Sequence, residues 1–181
     1  MQRKKVKIED IAGKIVTELP KGILLTTKTE DKVNTMTIGW GTVGVEWNKP
    51  VFAAYIREGR FTRRQLEENP VFTVNIPAER TPEIQKVIGF CGSHSGRTED
   101  KISGAGLTLV DSEQIAAPAV KEFPITLECR VVFTQRQELS EIDPKFGNFY
   151  PQDVDSSATG ANKDAHIAYY GEIVDAYMLE D

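Results

Sequence analysis

NTMTIGWGTVGVEWNKPVFAAYIREGRFT, residues 34–62, is the stretch whose reading decides the fold. Two runs of strand formers, 36–45 and 51–56, flank the turn-prone Asn48-Lys49-Pro50. Gly39-Trp40-Gly41-Thr42-Val43-Gly44 has the letters of a dinucleotide loop, G-x-G-x-x-G. That motif needs a helix to open inside it, so that the helix N-terminus meets a pyrophosphate. Here Trp40, Thr42, Val43 and Val45 are strand residues and Pro50 follows, so the dinucleotide reading is rejected. Glycines in a strand instead permit close approach, either of a ligand or of a neighbouring strand.

Outward from this stretch, residues 21–27 read as a preceding strand, joined to 36–45 through the polar turn 29–32 as a hairpin. Residues 51–57 are nearly all apolar, as for a strand buried on both faces. Residues 61–69 form a short helix, for which Thr62 and Gln65 make a capping box, ended by Pro70. A strand at 71–76 stops at Pro77. Thr81-Pro82-Glu83 starts a second helix: a cap, proline in the first turn, then an acid at the positive end of the dipole. Ile84, Val87, Ile88 and Cys91 share its apolar face, and Gly92 ends it. Residues 107–110 make a short strand. In 124–137 apolar and polar residues alternate, the mark of a half-exposed antiparallel strand. Residues 138–163 form a long polar loop, 166–178 a last strand, and 8–15 a short lead-in. Six or seven strands without regular crossover helices point to a closed or split antiparallel barrel rather than a parallel α/β sheet.

The whole chain, 181 residues, is of a size for one domain, with its core over about 21–178. Hydrophobic content of 40% and charged content of 27% fit a soluble globule. A net charge of −5 argues against a general nucleic-acid binder. The sequence contains neither a membrane-length apolar run nor a signal core after the basic Met1-Gln2-Arg3-Lys4-Lys5, so a cytoplasmic protein is expected. Cys91 and Cys129 form no CxxC pair and read as buried thiols. Two histidines without clustered carboxylates make no metal site.

Within an acidic chain, Arg57, Arg60, Arg63 and Arg64 stand out at a strand-to-helix turn. A helix start offers free N–H groups and partial positive charge, and guanidinium groups match phosphate oxygens. Arg57, Arg60 and Thr62 are therefore read as a phosphate seat, and Arg63 and Arg64 as a solvated face paired with Glu67 and Glu68. Asn34, Thr35 and Thr37 supply donors and acceptors for a heterocycle, with Trp40 as a wall. Ser93-His94-Ser95-Gly96-Arg97 is a small polar loop suited to wrapping an anion; a Ser–His nucleophile pair is not expected from residues so close in sequence.

NTMTIGWGTVG, YIREGRFT, FCGSHSGRTEDK and the late HIAYYGEIVD, in this order and spacing, resemble the flavin reductase-like proteins, which include the flavoredoxins. The resemblance covers about residues 21–176. It implies a mainly β, antiparallel Greek-key split β-barrel with two or three short helices, a homodimer, and one non-covalent FMN per subunit. The contacts it implies lie at Asn34, Thr35, Met36, Thr37, Trp40, Gly41 and Thr42; at Arg57, Arg60, Phe61 and Thr62; at Ser93, His94, Ser95, Gly96, Arg97 and Lys101; and at His166, near the flavin. Gly59, His94 and Thr98 depart from the residues frequent in the family, serine, lysine and aspartate. The implied activity is hydride transfer from NADH or NADPH to FMN, with electrons passed onward to oxygen, free flavin or a redox protein. A carrier that does not itself use a nicotinamide nucleotide is the alternative, and a barrel that binds without redox chemistry is a third. No side chain is required as a general acid or base, because the cofactor carries the electron chemistry.

Overall fold

A computed structural model describes residues 1–30, 32–155 and 162–180. The elements in chain order are β1 (Gln2–Lys5), α1 (Ile8–Glu18), β2 (Ile23–Lys28), β3 (Val33–Ile38), β4 (Gly41–Glu46), β5 (Lys49–Arg57), α2 (Phe61–Glu68), β6 (Val71–Ile76), α3 (Pro82–Ser93), α4 (Lys101–Gly104), β7 (Leu109–Val110), β8 (Ala119–Val120), β9 (Ile125–Arg136) and β10 (His166–Glu180). The main sheet is antiparallel throughout and runs β3-β2-β6-β9-β10-β5-β4, with β1 on the C-terminal half of β10. The protein is thus a mainly β split barrel with a Greek-key strand order. Among the described residues no helix is long and apolar enough to cross a membrane.

Residues 36–45 do not form the single strand expected; the run breaks at Gly39-Trp40 into β3 and β4. These two strands stand at opposite ends of the sheet. In a flat sheet seven strands would put its ends roughly 29 Å apart, at about 4.8 Å per neighbour. The three Cα steps from Ile38 to Gly41 reach at most about 11 Å. The sheet must therefore roll until its edges meet, and Gly39-Trp40 is the seam. Gly41 settles one of the two readings of the strand glycines: a Cβ there would lie 2.8 Å from Phe52 Cζ, so its bareness serves packing inside the barrel. The β4–β5 hairpin turns on Trp47 and Asn48, both at positive φ, the backbone of a two-residue primed turn.

Phe52, Phe72, Leu127, Ile56 and Tyr169 fill the barrel, while α3 packs Ile88 and Cys91 against Leu24 and Phe123 on its outside. Thr81 caps α3 by accepting from the Ile84 N–H at 3.3 Å, as its sequence announces. The capping box expected on α2 is absent: Arg60 is the N-cap and no side chain caps it. Gln65 instead accepts from Thr27 Oγ1 at 2.7 Å and donates to the Lys32 carbonyl at 3.0 Å. Residues 8–15 lie in a full helix, α1, because Ile8, Ile11 and Ile15 share one face toward the core. Four helices and ten strands are described, against two or three and six or seven expected.

The alternation in β9 also misleads. Ile125–Cys129 is buried on both faces, Glu128 included, because the 113–114 backbone covers the second face and donates to that carboxylate at 3.0 and 2.8 Å. Both cysteines are free and buried. The long loop carries short 3₁₀ turns at Leu139–Glu141 and Pro144–Phe149; its residues 156–161 lie outside the described part.

Candidate functional site

Two cavities, of about 150 and 160 Å³, share Met36, Thr37 and Arg60 and form one groove along β3. One end is lined by Asn34, Phe61, Thr62, the 91–96 loop and Lys101; the other by Gly39, Trp40, Tyr55, Arg57 and His166. The groove thus has a polar, cationic end and an aromatic end.

At the cationic end Asn34 is 2% exposed and donates from Nδ2 to Thr62 Oγ1 at 3.0 Å. Among the described residues its Oδ1 has no partner, and an unpaired buried acceptor is costly unless a ligand supplies a donor. Gly96 lies directly against it: a Cβ at that position would stand 2.1 Å from Asn34 Oδ1 and 3.1 Å from Phe61 Cδ1. Lys101 is 4% exposed and donates from Nζ to the Cys91 carbonyl at 2.8 Å, leaving two of its three N–H groups. Burial brings its pKa down to about 8; the Cys91 thiol opposes this and Arg60 adds to it. Burial pushes the Cys91 thiol up to about 11, so it stays protonated and unreactive at neutral pH. The uncapped start of α2 presents its N–H groups beside Arg60.

The loop is held by its own contacts. Ser93 Oγ bonds the Gly89 carbonyl at 2.9 Å, and His94 Nδ1 lies 3.0 Å from the Phe90 carbonyl with its ring stacked 4.0 Å from the Phe90 ring. Ser95 Oγ accepts from the Arg97 N–H at 3.3 Å. Lys32, which sequence reasoning passed over, donates to the carbonyls of Gly96 and Glu99 at 2.6 and 3.0 Å. Thr37 Oγ1 donates to the Ile88 carbonyl at 2.7 Å and so fastens β3 to α3.

At the aromatic end the Trp40 ring lies 5.0 Å from that of His166 and 5.1 Å, edge to face, from that of Phe149. Tyr150 Oη sits 3.0 Å from His166 Nδ1 and donates to Gln137 at 3.0 Å. Burial, assisted by Arg57, lowers the His166 pKa to about 4, so its ring is neutral at pH 7.

Several expected contacts fall elsewhere. Thr35 points to the opposite face of β3 from Asn34 and Met36, where its Oγ1 meets Thr26 Oγ1 at 3.1 Å and the Leu25 carbonyl at 3.3 Å. Thr42 is exposed on β4, and neither it nor Gly41 lines the groove. Arg97 spans to the Gly59 carbonyl at 3.0 Å and braces two loops. Arg57 lines the aromatic end, but its guanidinium donates to the carbonyls of Asn162, Asp164 and Phe149 at 2.9, 2.8 and 2.8 Å. It pins the long loop, with three of its five N–H groups committed to these carbonyls. Among the described residues the Arg60 guanidinium bonds Asn162 Oδ1, at 3.2 Å. Phe149, Tyr150 and Asp164 were missed; the signal was FGNFY, three aromatics inside a polar loop.

The family profile described as flavin reductase like domain matches residues 17–181. The chain belongs to this family. An uncharacterized protein of Archaeoglobus fulgidus is 34% identical over 102 residues, 56% of this chain and 55% of that one. The uncharacterized protein YddH of Escherichia coli is 31% identical over 129 residues, 69% of this chain and 65% of that one. The matched stretch thus spans little more than half to two thirds of these relatives' length. Among solved structures, flavoredoxin of Desulfovibrio vulgaris (Miyazaki F) is 26% identical, with a TM-score of 0.62 over 88% of this chain and 69% of that one. These likenesses agree with the four quoted motifs and with the barrel.

Proposed function

We propose that this flavin reductase-like protein binds FMN in the groove along β3 and acts as an oxidoreductase that takes hydride from NADH or NADPH. The observation that carries the reading is the continuity of the groove, with Lys101 and the open start of α2 at one end and aromatic rings beside the carbonyl-bound Arg57 at the other, bridged by Met36, Thr37 and Arg60. The residues suit the cofactor on three counts. Among the described residues Asn34 Oδ1 is an unpartnered buried acceptor, suited to a hydroxyl of the chain that links ring and phosphate. Gly96 leaves a cradle that any Cβ would close. Arg60, Lys101 and the open start of α2 supply donors for a phosphate dianion.

FMN, when bound, supplies the one- and two-electron chemistry. The chain's part is to hold and shield. Arg60 and Lys101 neutralise the phosphate; Thr62, whose oxygen accepts from Asn34, retains its own hydrogen to donate. Trp40 and His166 border the ring end, and neutral His166 adds no charge there. Arg57 holds residues 149 and 162–164 over that end, which keeps water away. A homodimer, a cytoplasmic location and a redox-protein acceptor complete the proposal.

The similarity to flavoredoxin favours one second reading, an FMN-binding electron carrier that does not itself accept hydride from a nicotinamide nucleotide. Anaerobic stopped-flow mixing of the FMN-loaded protein with NADH and with NADPH separates the two. Bleaching of the flavin absorbance within seconds by either nucleotide supports the reductase. Persistence of the oxidised spectrum, with bleaching by dithionite, supports the carrier and overturns direct hydride transfer.

A further inference from the structure

A third cavity, of about 530 Å³, opens beside the aromatic end of the groove and shares Gly39, Trp40 and Tyr55 with it. It lies between α1 and the 137–150 segment, which contributes Ile142, Phe146, Phe149 and Tyr150. Its volume falls within the range of small-molecule pockets, roughly 300–1,000 Å³.

The chemistry of its wall is one-sided. None of the lining side chains carries a charge. Gln137 and the Tyr150 hydroxyl, which face it, are bonded to each other. Val16, Trp40, Phe146 and Phe149 are all exposed large apolar side chains that converge on this rim. Apolar surface gathered this way marks a binding site rather than ordinary scatter. The wall would strip water from a charged ligand and return no counter-charge, which excludes phosphates and carboxylates. Trp40, Tyr55, Phe149 and Tyr150 offer ring faces and edges, which favour a flat aromatic occupant over a flexible chain.

We infer that this cavity is a second ligand site, which takes an uncharged aromatic molecule of two or three fused rings and holds it against Trp40, next to the groove. Binding in it does not depend on FMN. The consequence, an organic redox partner lying beside the flavin, rests on the function proposed above.

The test is isothermal titration calorimetry of 2-naphthol and of 2-naphthalenesulfonate into the full chain, FMN-free and FMN-loaded, with FMN affinity measured separately by fluorescence quenching. The expected result is one 2-naphthol per chain with a dissociation constant on the order of 0.1 mM. The sulfonate should bind at least tenfold more weakly. Val16→Glu, at a position 61% exposed on α1 and therefore tolerant, and Ile142→Glu should each weaken 2-naphthol at least tenfold and leave FMN affinity unchanged. Equal binding of naphthol and sulfonate, or naphthol binding untouched by both variants, overturns the inference. So does light scattering that shows Val16→Glu splitting an assembly while naphthol affinity stays the same, since the cavity is then a subunit interface. Loss of FMN binding with naphthol binding intact overturns the groove reading and supports the pocket.

Discussion

Lys101→Met removes a buried cation while keeping most of the side chain's volume. In the free protein the Lys101 ammonium donates to the Cys91 carbonyl, and burial has already brought its pKa to about 8. A phosphate dianion at this end of the groove favours the charged form, so FMN binding raises that pKa. The sign follows from linkage. Below pH 8 both free and bound forms carry the proton and affinity is level; above pH 8 the free form loses it, the complex keeps it, and affinity falls by up to tenfold per pH unit. FMN should therefore bind about tenfold more weakly at pH 9 than at pH 7. At pH 7 the variant loses one charge-assisted contact, about 1.5–3 kcal/mol, or roughly ten- to a hundredfold in affinity. Its affinity should then be nearly flat from pH 7 to 9. Fluorescence titration of FMN at each pH reads both effects. Wild-type affinity independent of pH over this range, or a variant with unchanged affinity at pH 7, would refute the placement of the phosphate beside Lys101.

Gly96→Ala should abolish FMN binding at micromolar protein, because its Cβ forces Asn34 from its bond with Thr62 or drives the loop from the groove; melting temperature, read in parallel by circular dichroism, should fall by only a few degrees, as for a loss of about 1–2 kcal/mol. Arg57→Ala should weaken FMN less than Lys101→Met does, but it should expose the chain at 149 and at 162–164 to limited proteolysis, since three carbonyl contacts are lost together. Equal protease resistance in the variant would contradict the pinning role.

The barrel was legible because β2, β5, β6 and α3 announce themselves locally, through apolar runs, prolines and the Thr81 cap. The seam at Gly39-Trp40 was hidden, because nothing local distinguishes a strand that continues from one that turns a corner to the other edge of a rolled sheet. Glu128 misled because the second face of β9 is covered by the irregular 113–114 backbone, whose N–H groups make a buried carboxylate tolerable. At the site, residue type pointed to Asn34, Arg60 and Gly96 and the family resemblance added Lys101, and the four line one groove. Residue type could not tell Arg60 from Arg57, because the partners that occupy Arg57 come from about a hundred residues downstream. Thr35 was assigned by adjacency, but it is fully buried, with its hydroxyl held by Thr26 and the Leu25 carbonyl.

The central claim, a phosphate-bearing flavin held by its anionic end, is tested most directly by titrating the purified protein with FMN and with riboflavin under identical conditions. The two differ only in the phosphate. FMN should bind one per chain and at least about a hundredfold more tightly than riboflavin, the combined effect of Arg60, Lys101 and the start of α2. Riboflavin bound as tightly as FMN, or neither bound at all, would contradict the account.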